Sequence, residues 1–372
     1  MSETKFKKKL AQLLDGTGIR IDGPEPWDFQ VRNPRVFGRI LAHGSLGLGE
    51  SYMDGWWETA NLDGFIYRLL CADLDERVHT WGDIFHALHA RLSNLQKPSR
   101  AFEVGQHHYD MGNALYKRML DRRMIYSCGY WKNAEDVDTA QEAKLELIFR
   151  KLGLRPGMRV LDIGCGWGGA LKLAAERYGI EGIGVTVSEQ QAAYAREICA
   201  GLPIDIRLQD YRLLDETFDR IFSVGMFEHV GFKNYRAYME VAHRCLNRDG
   251  LFLLHCIGNN YSVATTDAWI ERYIFPNGML PSIRQIGESI EHLFVMEDWH
   301  NFSTYYDRTL MAWRHNFETH WDELKQQYNP LFYRMWRYYL SASAATFRAR
   351  KAQLWQIVLS PRGVRGGYES VR

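Results

Sequence analysis

The chain has 372 residues, of which 46% are hydrophobic and 13% aromatic, and carries a net charge of +1. That suits a folded protein of one large or two ordinary domains. The near-neutral balance excludes a dedicated nucleic-acid binder, and no apolar run reaches the ~20 residues of a membrane-spanning helix.

Lys5, Lys7, Lys8 and Lys9 open the chain as a solvated first helix turn, with contact to anionic lipid as the other reading. Met1 runs directly into charged residues, so no secretory leader is expected. Residues 1–92 form a predicted first unit. Within it Gly47 and Gly49 lack a preceding strand and are expected to be turn glycines, while Leu46, Leu48, Tyr52, Trp56 and Trp57 read mostly as core. Residues 93–103, with Ser93, Asn94, Pro98 and Ser99, have linker composition.

A second unit, 104–372, alternates helix and strand. Thr139 and Glu142 suggest a capping box for a helix that buries Leu145, Ile148, Phe149 and Leu152 and ends at Gly153. Strands are predicted at 159–163, 182–187, 204–208, 220–224 and 251–255, with spacings that suit right-handed crossovers in an open parallel sheet. A long excursion over 258–293 precedes a strand at 294–299, two amphipathic helices near 305–323 and 329–349, and a last strand at 354–359. The tail from Pro361 to Gly367 is expected to be loose. Six cysteines (Cys71, Cys128, Cys165, Cys199, Cys245 and Cys256) are scattered without a C-x-x-C pair, as reduced thiols of a cytoplasmic protein would be.

The most informative run is Val160–Gly169. A short apolar strand carries Asp162, then Gly164, Gly166 and Gly168 alternate before a helix over 169–178. Glycines there permit a tight strand-to-helix turn with a ligand against bare backbone. The order D-x-G-x-G-x-G departs from the G-x-G-x-x-G of nicotinamide binders. It resembles motif I of the class I S-adenosylmethionine (SAM) methyltransferases.

Ligands of open parallel sheets bind outside the carboxyl ends of the strands. That edge gathers Thr186, Ser188, Gln191, Asp210, Tyr211, Glu228, His229 and His255. Each has a plainer reading. Gln191 can close a capping box with Ser188, or hold a ribose where no acidic residue ends the second strand. Asp210 is a turn former or an acceptor for an adenine amino group. Glu228 sits among apolar neighbours and needs a partner if buried. His229 and His255 can each be satisfied core residues. A metal site from His107, His108, His229, His255 and His300 is set aside, since no H-x-x-x-H pair lies on a clear helix.

Several segments together carry a more specific resemblance: 47–57, 108–113, Tyr126-Ser-Cys-Gly-Tyr-Trp131, Gly225-Met-Phe-Glu-His-Val-Gly231, 273–278, 296–302 and Phe347-Arg-Ala-Arg350. Over nearly its full length the chain resembles the cyclopropane-fatty-acyl-phospholipid synthases of the mycolic acid cyclopropane synthase family. The resemblance implies a Rossmann-like, seven-stranded, mostly parallel sheet with a helical substrate-chamber insertion. It also implies a smaller N-terminal domain for lipid docking or dimerisation. SAM's methyl would be attacked by the cis double bond of a phospholipid acyl chain, and bound bicarbonate would take a proton from the resulting carbocation. The resemblance places the bicarbonate pocket at Cys128, Glu228, His255 and Tyr306, with Glu228 orienting His255. It places the cofactor contacts at Tyr126, Ser127, Asp162, Gly164, Gly166, Trp167, Gly168, Thr186, Gln191, Asp210 and Tyr211. A homodimer resting peripherally on the inner face of the cytoplasmic membrane is implied as well. Ser343 departs from the family, many of whose members carry a cysteine in this segment. A small-amine N-methyltransferase on the same scaffold is the alternative, and a catalytically dead lipid-binding protein is a third reading.

Overall fold

The computed structural model describes residues 3–74 and 112–372. The predicted linker, His107 and most of the 108–113 segment lie outside the described residues. Seven strands form one sheet in the order β5-β4-β3-β6-β7-β9-β8. They are β3 (Arg159–Ile163), β4 (Glu181–Thr186), β5 (Ile204–Leu208), β6 (Phe218–Val224), β7 (Leu246–Asn259), β8 (Val295–Asn301) and β9 (Ala352–Ser360). β3 to β7 pair in parallel, whereas β9 runs antiparallel between β7 and β8. The strand order reverses between β3 and β6, and such a switch point opens a crevice at the carboxyl ends.

The central strands β3, β4 and β7 are legible because both of their faces are buried over nearly continuous apolar runs, whereas the edge strand β5 alternates apolar and polar residues. β7 outgrows its predicted 251–255 because β9 pairs with it as far as Asn259. The helix before β3, α5 (Val137–Leu152), is capped differently from expectation. Asp136 accepts from Thr139 N at 2.8 Å, with Thr139 at the third position of the box. Glu142 is free to pair with Arg122 and Arg177 instead.

The N-terminal unit contributes α1 (Glu3–Leu13), a short β1/β2 ladder (Gln30–Val31 with Trp57–Glu58), α2 (Val36–Met53) and α3 (Leu62–Cys71). Gly47 and Gly49 are not turn residues: both lie inside α2. A Cβ on Gly47 would stand 2.3 Å from Arg39 O, and one on Gly49 would stand 2.4 Å from the Trp269 ring. Close packing, not backbone freedom, explains them. Tyr52 and Trp57 are fully buried, and Leu46, Leu48 and Trp56 pack against the same cluster.

That cluster is shared with the insertion that follows β8: α11 (Thr304–Thr319), α12 (Trp321–Leu324) and α13 (Pro330–Arg348). Arg348 clamps the seam, reaching Asp63 of α3 at 2.8 Å and Asp307 of α11 at 2.8 and 2.9 Å. Between β7 and β8 lie α9 (Ala268–Tyr273) and α10 (Ile283–Ile290). The tail expected to be loose, 361–367, is tethered: Gly363 N donates to Ser360 Oγ at 2.9 Å and Val364 N to Glu297 Oε1 at 2.8 Å. Tyr368 OH donates to Lys151 O at 2.9 Å, and Arg372 holds Asp298 through two nitrogens at 2.6 Å each.

Candidate active site

One cavity opens over the carboxyl ends of β3, β4, β5 and β6. Of the predicted cofactor residues, Tyr126, Ser127, Asp162, Gly164, Gly166, Trp167, Thr186, Gln191, Asp210 and Tyr211 all line it. Gly168 does not; it turns at φ 82° and packs against Ala195 and Cys199. Gly164 takes φ 89°, a conformation that favours glycine, and its N–H donates to Val185 O on the neighbouring strand at 3.0 Å.

The capping-box reading of Gln191 fails at its side chain. Ser188 Oγ does cap the helix, accepting from Gln191 N at 3.3 Å. The Gln191 side chain does not complete the box, because its Oε1 accepts from Thr186 Oγ1 at 3.0 Å. Asp210 caps the turn Tyr211–Leu213 and is held by Arg212, Nε to Oδ1 at 2.9 Å. It is thus both a turn former and a carboxylate at the cavity wall. Tyr126 joins this wall to the insertion through Tyr339, OH to OH at 2.8 Å.

The Tyr126-Ser-Cys128 segment is anchored from below. Asp121 accepts from the N–H groups of Arg123 and Ile125, and Gln141 Nε2 donates to Ser127 O at 2.6 Å. Lys144, fully buried on α5, donates to Ser127 Oγ at 2.9 Å. Burial pulls its ammonium down to about 8 and pushes the Asp162 carboxyl up to about 8, the two groups opposing that trend in each other. Among the described residues Asp162 Oδ1 has no hydrogen-bond partner, and Asp162 lines the cavity. Neither Gln141 nor Lys144 was singled out from sequence. The available signal is that Lys144, Ile148 and Lys151 share one stripe of α5, which puts lysines where an amphipathic helix keeps its core.

Cys128, Glu228, His255 and Tyr306 do not line the cofactor cavity; they lie beside it. Cys128 Sγ is 3.8 Å from Thr309 Oγ1, one turn beyond Tyr306 on α11. Lys144 acts electrostatically on both Cys128 and His255. Glu228 Oε1 accepts from Ile257 N at 2.7 Å, two residues after His255 on β7. The expected contact from Glu228 to His255 is absent. His255 Nδ1 instead faces Gln356 Nε2 at 3.3 Å, because β9 sets Gln356 directly opposite His255. Among the described residues neither Glu228 Oε2 nor His255 Nε2, both buried, has a partner. Burial raises the Glu228 carboxyl to about 7, holds His255 far below the usual imidazole range and pushes the Cys128 thiol up. The thiol and imidazole are therefore neutral donors, and the carboxyl is poised near neutrality.

Aromatic rings enclose these groups. Tyr306 stacks on Phe347 at 4.6 Å and meets Trp313 at 6.0 Å, while Phe302 lies 5.9 Å from His255 and 5.3 Å from Tyr130. Ser343 stands on α13 in this insertion.

A family model described as mycolic acid cyclopropane synthetase matches residues 96–357. The cyclopropane-fatty-acyl-phospholipid synthase of Escherichia coli K12 is 54% identical over 362 residues, covering 97% of this chain and 94% of that one. Among solved structures, the mycolic acid cyclopropane synthase CmaA1 complexed with SAH and CTAB is 31% identical with a TM-score of 0.66, covering 69% of this chain and 97% of its own. Coclaurine N-methyltransferase, 19% identical with a TM-score of 0.71 over 84% of this chain and 98% of that one, shares the fold alone. The chain belongs to the mycolic acid cyclopropane synthetase family and is a SAM-dependent methyltransferase of the cyclopropane-fatty-acyl-phospholipid synthase type.

Proposed function

We propose that this enzyme adds a methylene group from SAM across the cis double bond of unsaturated acyl chains in membrane phospholipids. The observation that carries the reading is a glycine-floored cofactor cleft beside which Cys128, Glu228, His255 and Tyr306 stand among aromatic rings, with Glu228 Oε2 and His255 Nε2 lacking a partner among the described residues. An alkene is a weak neutral nucleophile, so orientation and exclusion of water must lower its barrier. SAM supplies the electrophilic methyl group when bound. In the cleft, Gln191, Asp210 and Tyr211 would hold the nucleoside end, and the Asp162 carboxyl would face the amino-acid end. The rings of Tyr130, Phe302, Tyr306, Trp313 and Phe347 would keep water from the carbocation and favour positive charge at their faces.

Bicarbonate suits this second group of residues. They offer a neutral thiol, a neutral imidazole and a carboxyl near neutrality, with His255 Nε2 and Glu228 Oε2 lacking partners among the described residues. The bound anion would supply the base that removes the ring-closing proton. Cys128, His255 and Tyr306 would donate to it, and Glu228 in its protonated form would donate through Oε2 rather than repel it. Ser343, with no evident base activating it, cannot serve as a covalent nucleophile. The division into an N-terminal unit of 1–92 and a catalytic unit of 104–372, the homodimer and peripheral placement on the inner membrane face are proposals carried by the resemblance.

The test is incubation with SAM and monounsaturated phospholipid vesicles, followed by acyl-chain mass analysis. A gain of one CH₂ with loss of the double bond is expected. A methylated amine product would favour the N-methyltransferase alternative, and no SAM turnover would sink both. Glu228→Gln should keep SAM affinity nearly intact and suppress ring formation; equal loss of both would remove Glu228 from the proton-receiving group.

A further inference from the structure

We infer that Gln356 is a positioning residue that sets the tautomer of His255, keeping the proton on Nε2. His255 on β7, Gln356 on β9 and His300 on β8 stand in register across three adjacent strands. Residues directly opposite in such a ladder share a face. Gln356 is fully buried, and the contact from its Nε2 to His255 Nδ1 is the amide's one hydrogen bond among the described residues, since Oε1 has no partner. An amide N–H can only donate, so Nδ1 must be the accepting, unprotonated nitrogen. In a neutral imidazole the proton is then on Nε2, the atom without a partner among the described residues. Neutrality follows from the surroundings: full burial, with Lys144 and Lys151 as cations disfavouring a third positive charge. At the far end of the row, Lys151 Nζ lies 3.1 Å from His300 Nδ1 and 3.5 Å from Asp298, so its hydrogen bonds go to β8.

The inference rests on reading the group around His255 Nε2 as the anion site. With the proton on Nε2 the imidazole donates toward that anion. With the other tautomer it would present a lone pair and repel an anion. Gln356 would thus act through His255 without touching substrate.

Nitrogen-15 NMR of the full-length histidine-labelled protein reads this directly, with the His255 signals assigned by their loss in His255→Asn. Wild type is expected to show Nε2 protonated and Nδ1 bare. Gln356→Glu replaces the donor with an acceptor, so the proton should move to Nδ1. Cyclopropanation should fall about 10- to 100-fold, the usual effect of a lost orienting partner, with SAM affinity unchanged. Gln356→Met, which neither donates nor accepts through an amide, should give mixed tautomers and an intermediate loss; it carries the comparison if the Glu variant fails to fold. A wild-type proton on Nδ1 would overturn the inference. So would lost turnover with an unchanged nitrogen pattern, or a changed pattern with full turnover. The tautomer is read without any reaction, so failure of the cyclopropanation reading would show separately, as a wild-type enzyme that makes no product.

Discussion

Glu228 combines a cost and a use in one side chain. In the unfolded chain its carboxyl ionises near 4.5, whereas burial raises it to about 7 in the folded state. Between those values the folded protein binds more protons than the unfolded one, so stability falls as pH rises and levels off above 7. The two pKa values differ by enough to cost about 3 kcal/mol at pH 8. Glu228→Gln keeps an acceptor for Ile257 N and removes the ionisation. It is therefore expected to melt with wild type near pH 4.5 and clearly above it at pH 8, by thermal unfolding without SAM. A variant that melts lower at pH 8 would show that the carboxylate finds stabilisation not visible in this geometry. The same substitution should abolish ring closure, so the residue is retained against stability.

At the scale of elements, α2 shows where local sequence misleads. Glycines disfavour helix interiors by about 1 kcal/mol each relative to alanine, and the run from Gly44 to Gly49 reads as turns. Gly44 does kink the helix, at φ 54°, but Gly47 and Gly49 remain helical because Arg39 O and the Trp269 ring leave no room for a Cβ. Gly49→Val is expected to cost roughly 1–3 kcal/mol through overpacking against Trp269, measurable by urea unfolding; an unchanged midpoint would mean α9 moves aside freely. The central strands and the glycine loop were legible because burial on both faces and a turn at the cofactor both act on neighbours in sequence. Lys144, Gln141 and Gln356 were not, because each acquires its role only when a distant segment is set against it: the Tyr126–Cys128 segment for the first two, β7 for the third. The capping box failed for a smaller reason. Both Asp136–Thr139 and Thr139–Glu142 fit the spacing, and Glu142 had arginine partners that sequence proximity did not reveal.

Across the whole molecule, the N-terminal unit and the insertion behave as one body because aromatic core and ion pairs cross the seam together. Arg334 Nε donates to Tyr52 O at 2.6 Å, and Arg337 Nη1 to Tyr52 OH at 3.0 Å. Arg348 joins Asp63 to Asp307, with 31% of its own side chain exposed and 12% of Asp63's. Arg348→Met should cost about 1–3 kcal/mol, less than a fully buried pair would. Unfolding should stay a single transition by both tryptophan fluorescence and circular dichroism. Two separated transitions would show that the seam is weaker than its packing implies.

The position of β9 has a consequence for synthesis. Last of the described strands in sequence, it bridges β7 and β8 in the sheet. A nascent chain halted before Ala352 already has every residue that lines the cofactor cleft. It lacks Gln356, and β8 has no neighbour to pair with. Cofactor recognition is thus encoded ahead of the strand that packs against His255, and completion of the far edge of the sheet must await a long-range strand insertion, a slow kind of step.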